Sequence, residues 1–209
     1  MDSLFEAIPF AENPLYENII ADILSKQYSI IDNFFTSEEV LALRESLLHK
    51  YEEDAFKKSA IGNRTNEVIK KAIRGDIILW IDEDKANRAE ALFFNKINDL
   101  KYYLNRTCFL GINQKEFHYA IYPEGTFYKR HLDTFQNDDR RKLSFVCYLN
   151  EENWKPENGG ELVLYLGDGE EIIYPFPGKV VIFESQVLEH EVKPVNTPRL
   201  SITGWLKTR

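Results

Sequence analysis

A mostly β fold, with helices ahead of a double-stranded β-helix (a jelly roll, cupin-like) core, is predicted by three observations. From residue 116 onward the chain breaks into short apolar runs separated by turn signals. Two segments before residue 105 instead carry apolar residues at helical spacing. Near the C-terminus, Pro198-Arg199-Leu200-Ser201-Ile202-Thr203-Gly204-Trp205 alternates small or polar residues with apolar ones, as a strand facing a barrel interior does.

Residues 15–26 read as a helix, and 28–35 as a short strand that runs into a turn. Thr36 followed by Glu39 is a capping box, and Val40, Leu43, Leu47 and Tyr51 follow at helical spacing, one face for a sheet. Residues 54–73 are polar and aperiodic and carry Gly62, which predicts a loop; 76–81 read as a strand. Ala89, Leu92, Phe93, Ile97, Leu100 and Leu104 mark a second amphipathic helix. Strands are then expected over 117–122, 143–149, 161–166, 171–174, 179–183, 189–192 and 200–206. Gly167-Asp168-Gly169 predicts a tight hairpin, Gly159-Gly160 a turn, and 175–178 another.

The bulk properties narrow the function. At 209 residues, 44% apolar and 29% charged, the chain suits one folded domain, with residues 1–115 as a helical support region and 116–209 as the core. A net charge of -8 argues against a general nucleic-acid binder, which needs a basic face for phosphates. Local basic runs (Lys57-Lys58, Arg64, Lys70-Lys71, Arg74, Lys129-Arg130 and Arg140-Arg141-Lys142) read singly as solvated surface and together as a rim for an acidic peptide or protein. The first residues lack a basic segment followed by an apolar one, and no apolar run is long enough to span a bilayer, so a soluble, cytoplasmic protein without membrane contact is expected. Cys108 and Cys147 belong to no Cys-x-x-Cys pair and are expected as buried, reduced thiols.

The densest chemistry lies between Tyr122 and Asp133, answered later by His190 and Arg199. His131 and Asp133 are two residues apart, so on an extended segment both leave the same face and converge on one ion. His190 completes a set of two imidazoles and one carboxylate, which leaves coordination positions open and suits a non-haem Fe(II) oxygenase. His49 and His118 have no partner at ligand spacing and read as ordinary surface or core histidines. Arg199 lies on the alternating strand, where a buried guanidinium needs an anion; its fork suits a carboxylate, and Thr203 on the same face offers a further donor.

These residues resemble the Fe(II)- and 2-oxoglutarate-dependent oxygenases of the prolyl 4-hydroxylase type. Further segments carry the likeness: residues 73–80 (Ile-Arg-Gly-Asp-Ile-Ile-Leu-Trp), 145–150 (Phe-Val-Cys-Tyr-Leu-Asn), Gly159-Gly160-Glu161-Leu162, and 201–205. They are similar to the prolyl hydroxylases that act on hypoxia-inducible factor and to bacterial relatives that act on elongation factor Tu. The stretch between Tyr122 and Tyr128 is one residue shorter than in the animal enzymes. The resemblance implies iron at His131, Asp133 and His190, with O2 as cosubstrate and ascorbate as reductant. It places 2-oxoglutarate against Arg199, Tyr148, Thr203, Leu162 and Tyr122. It assigns a protein substrate with a target proline to Tyr128, Trp205, Arg141, Arg74 and Asp76, under a covering loop at about 54–75. Hydroxylation of a non-prolyl or small-molecule substrate, and a catalytically silent peptide-binding jelly roll, remain as alternatives.

Overall fold

The computed structural model describes residues 11–53, 57–58, 73–134 and 140–208. In chain order these form α1 (Pro14–Lys26), β1 (Tyr28–Ile31), α2 (Ser37–Glu52), β2 (Lys57–Lys58), β3 (Ile77–Ile81), α3 (Arg88–Cys108), β4 (Gln114–Tyr122), β5 (Tyr128–His131), β6 (Arg141–Tyr148), β7 (Leu162–Leu166), β8 (Gly169–Ile173), β9 (Val180–Glu184), β10 (Glu189–Val192) and β11 (Arg199–Lys207). The strands make two antiparallel sheets, β1-β9-β6-β11-β4-β3-β2 and β5-β10-β7-β8. The jelly-roll expectation therefore holds, and the N-terminal half contributes three strands to the larger sheet as well as helices.

Each helix starts where a side chain can satisfy its free backbone N–H groups. Asn13 accepts from Leu15 and Tyr16, and the predicted Thr36–Glu39 capping box is present at α2. A second box, Asn87 with Glu90, opens α3. Val40, Leu43 and Leu47 are buried as expected, as are Phe93, Ile97, Leu100 and Leu104. Tyr51 and Leu92 are not: each is more than 40% exposed, because the apolar stripes drift off the packed face at those turns.

The larger sheet is covered on both sides, and side-chain alternation divides its residues between two cores. Phe117, Tyr119 and Ile121 of β4, Phe145 and Cys147 of β6, and Leu200, Ile202 and Leu206 of β11 pack toward the helices. The alternate residues Ala120, Tyr122, Val146 and Tyr148 pack toward the smaller sheet. This is why the strands read as near-continuous apolar runs.

The strand expected over 28–35 stops at Ile31. Phe34 and Phe35 leave the sheet to join an aromatic cluster, Phe34 edge-on to Phe145 and Phe35 stacked on Phe93, and that packing outweighs the β propensity of the run. β5 was not among the expected strands. Cys147 is buried as expected, but Cys108 at the end of α3 is partly exposed. Of the expected covering loop, residues 54–56 and 59–72 lie outside the described residues; Lys57 and Lys58 pair with Ile78 and Ile77. No helix among the described residues is long and apolar enough to cross a membrane.

Gly204 shows how closely β11 and β4 approach. A Cβ there would collide with the Glu116 carbonyl oxygen and the Phe117 ring. Gly204→Ala is expected to lower stability by about 1–3 kcal/mol through overpacking, read as a drop in urea midpoint with unchanged slope.

Candidate active site

The antiparallel register of β5 and β10 sets His131 directly opposite His190. Asp133 is not on the strand: β5 ends at His131 and the chain bends, so the bend, and not same-face alternation, turns the carboxylate toward the imidazoles. Asp133 Oδ1 lies 3.5 Å from His131 Nε2, and Oδ2 lies 3.6 Å from His190 Nε2. One ligand atom from each residue falls within 4.8 Å of the others.

The surroundings orient these donors. His131 Nδ1 lies 2.7 Å from the Lys129 carbonyl and His190 Nδ1 lies 3.2 Å from that of Leu188. A carbonyl only accepts, so each Nδ1 carries the proton and each Nε2 keeps its lone pair for a metal. Ser144 donates to Asp133 Oδ2 at 2.7 Å and lies 2.9 Å from Ser185 Oγ. The Ser144 proton is committed to the carboxylate, so Ser185 must donate to Ser144. Burial disfavours the charge on Asp133, but the facing His190 and His131 rings and the Ser144 bond outweigh it and hold the carboxyl well below its usual range. Burial lowers His190 to about 4, keeping it in the neutral form that ligates.

A cavity of about 130 Å³ separates this triad from the larger sheet. Its floor is a ladder of cross-strand pairs between β4 and β11: Tyr122 with Arg199, Ala120 with Ser201, His118 with Thr203. Arg199 is 2% exposed, its Nε has no hydrogen-bond partner, and no carboxylate among the described residues pairs with it. Its guanidinium lies 5.0 Å from the Tyr122 ring centre and 4.8 Å from that of Tyr148. The buried Tyr148 hydroxyl feels the Arg199 charge, yet no hydrogen bond of ordinary geometry satisfies it. Tyr148 thus backs Arg199 without lining the cavity, whereas Tyr122 and Leu162 line it directly. Thr203 lines it too, but its backbone is four residues, about 13 Å, along the strand from that of Arg199.

The Gly159-Gly160 turn also makes room for Arg199. Gly160 has φ of +72°, and a Cβ there would sit 2.8 Å from Arg199 Cδ and 2.7 Å from Val195 Cγ1. Arg74 and Asp76 form a buried bidentate ion pair at 2.5 and 2.7 Å. The Arg74 guanidinium lies 4.7 Å from the Tyr128 ring centre, and Tyr128 in turn stacks on His131 at 3.6 Å. Arg141 lies 3.5 Å from the Trp205 ring centre, bonds Glu116, and donates to the Asp133 carbonyl at 2.9 Å. All four lining residues expected at the substrate side, with Asp76, therefore reach the cavity wall.

Sequence reasoning missed His118, Trp80, Ser144 and Ser185. His118 and Trp80 line the cavity, and the two serines hold Asp133. Parity carried a signal for three of them: His118 shares the face of Tyr122, Trp80 that of Asp76, and Ser144 that of Tyr148. His49, by contrast, is an exposed helix residue beside Glu53, as expected.

The 2OG-Fe(II) oxygenase superfamily profile matches residues 117–207. The crystal structure of a Pseudomonas putida prolyl-4-hydroxylase superposes with a TM-score of 0.85 at 36% identity, covering 94% of this chain and 100% of that one. The chain belongs to the 2OG-Fe(II) oxygenase superfamily, and is of the prolyl 4-hydroxylase type. A Trichoplax adhaerens prolyl hydroxylase, solved with a peptide fragment of the hypoxia-inducible factor oxygen degradation domain, superposes with a TM-score of 0.83 at 28% identity, covering 92% and 89% of the two chains. A PKHD-type hydroxylase from Synechococcus is 38% identical over 88 residues, which is 40% of this chain and 38% of that protein. The match thus spans less than half the length of that curated relative.

Burial pushes His118 to about 3 and His190 to about 4, against an ordinary value of 6.5. Below pH 6.5 the unfolded chain binds protons that the folded metal-free protein refuses, so stability falls with pH. The expected loss between pH 7 and 5 is on the order of 2 kcal/mol per histidine. Urea denaturation across that range checks it: His118→Phe should remove about half the decline, and a flat profile in the parent would contradict both depressed values.

Proposed function

We propose that this chain is an Fe(II)- and 2-oxoglutarate-dependent dioxygenase that hydroxylates a prolyl residue in a protein. The observation that carries this reading is Arg199: a buried guanidinium with no carboxylate partner among the described residues, facing a His-Asp-His triad across a cavity. Leaving a buried charge unpaired is costly, and a dicarboxylate cosubstrate removes that cost. The donor set fits iron, since two neutral imidazoles and one ionised carboxylate leave positions open.

In this reading His131, Asp133 and His190 hold the metal. Arg199, backed by Tyr148, binds the distal carboxylate of 2-oxoglutarate, Tyr122 and Leu162 shape its pocket, and Thr203 meets the ligand nearer the middle of the cavity. When bound, iron with 2-oxoglutarate and O2 supplies hydroxylation coupled to release of succinate and CO2. The side chains bind, orient and exclude water. Tyr128 and Trp205 flank the space where a substrate C–H bond is brought to the metal, and Arg141 stacks behind Trp205. The Arg74–Asp76 pair serves this end as a brace for Tyr128 and His131.

The target proline is inferred from the likeness to the Pseudomonas putida prolyl-4-hydroxylase and the Trichoplax adhaerens peptide complex. Elongation factor Tu is the candidate protein, by the sequence resemblance. We further read residues 1–115 as support for the 116–209 core within one domain, the loop at about 54–75 as a cover over substrate, ascorbate as reductant, and the cytoplasm as the location.

Anaerobic titration with Fe(II) and 2-oxoglutarate should produce the visible charge-transfer band of a chelated keto acid. Asp133→Ala should abolish it, and Arg199→Ala should demand far more 2-oxoglutarate. Gly160→Ala, which displaces the Arg199 stem, should weaken 2-oxoglutarate binding by about tenfold or more, the effect of one impaired hydrogen bond to a charged group. A band in the parent justifies a mass-spectrometric search for hydroxyproline in elongation factor Tu. Absence of the band would favour a silent peptide-binding module.

A further inference from the structure

The cavity has a second polar feature, at the end away from Arg199. His118 is 1% exposed, yet lines the cavity at the ladder pair it shares with Thr203. Its ring centre lies 4.9 Å from Trp80, edge to face, and 5.6 Å from Trp205. The Nδ1 atom is buried and has no hydrogen-bond partner among the described residues, and the same holds for Trp205 Nε1. A well-packed core replaces such a histidine with an apolar ring, because unmade buried hydrogen bonds are costly. The two nearby guanidiniums are already matched, Arg74 by Asp76 and Arg141 by Glu116.

We propose that His118 is a specificity-determining residue, which makes one neutral hydrogen bond to an uncharged peptide amide of the substrate beside the residue to be hydroxylated. This rests on the oxygenase reading above and deepens it by naming what the substrate end of the cavity recognises. Three features point to an amide. The ring stays neutral at pH 7, since burial and the Arg74 and Arg141 charges depress its basicity, so it offers neither charge to an anion nor a strong base to an acid. A neutral imidazole presents either N–H or a lone pair to the cavity, according to its tautomer, and an amide, with both a donor and an acceptor, satisfies either. The flanking indoles give a flat apolar wall suited to a planar amide and a small saturated ring. A free amino acid, with its ammonium and carboxylate, would lose hydration there without finding an opposite charge.

The test uses the full chain loaded with Zn(II) and 2-oxoglutarate and labelled with 15N-histidine, with N-acetyl-L-prolinamide and free L-proline as probes. The four histidines are distinguished by the signal that His118→Phe removes. The amide probe should shift the His118 ring resonances and bind about three- to tenfold more weakly to His118→Phe, the loss of one neutral hydrogen bond. Free proline should do neither. His118→Phe keeps the aromatic packing and deletes a nitrogen, Nδ1, that has no hydrogen-bond partner among the described residues, so a purely structural histidine predicts a variant of equal or greater stability with unchanged probe binding. That result, unmoved His118 signals, or free proline binding as well as the amide would overturn the proposal. The Fe(II)/2-oxoglutarate band separates the two levels: a band in the parent with no probe binding rejects the amide subsite alone, and no band rejects the oxygenase reading on which it stands.

Discussion

The alternation of side chains across the larger sheet is the constraint on which the site depends. β4, β6 and β11 are buried on both faces, so every odd-even choice along them assigns a residue either to the helix-backed core or to the cavity. Arg199, Ser201, Thr203 and Trp205 point one way while Leu200, Ile202 and Leu206 point the other. A slip of one residue would drive Arg199 under the helices and expose Leu200 to the ligand space. The helices therefore serve the chemistry indirectly: α2 and α3 bury the apolar set, and that burial holds the polar set in register.

The smaller sheet supplies the opposite wall, and its contribution is angular. Pairing of β5 with β10 brings His131 and His190 together, and the bend after β5 adds Asp133. Neighbouring groups then limit each donor to one useful state, carbonyls on the two Nδ1 atoms and Ser144 on the carboxylate. Asp133 also ties the sheets together, since Ser144 belongs to β6 of the larger one.

Charges in the cavity wall divide into matched and unmatched. Arg74 meets Asp76, and Arg141 meets Glu116, so both act as rigid supports for the aromatic rings of Tyr128 and Trp205. Among the described residues Arg199 has neither a carboxylate partner nor a full set of hydrogen bonds. The two kinds of arginine cannot be told apart by residue type; they differ only in what the fold places beside them.

The sequence by itself determined the jelly-roll class, the start of α2, most strands to within a few residues, and the triad with Arg199. These are legible because they rest on periodicity, capping chemistry and the spacing of rare residues, all local in the chain. It misjudged Phe34 and Phe35, whose place is set by Phe145 and Phe93 far along the chain. It placed Arg74 and Asp76 beside the cavity but could not show that they pair with each other. It passed over His118 because no ligand-spaced partner stands near it in sequence; its neighbours Trp80 and Trp205 arrive on adjacent strands. Only the tertiary structure decided which buried polar groups are satisfied and which are not, because satisfaction is a property of atoms brought together by strand pairing and not of residues in order.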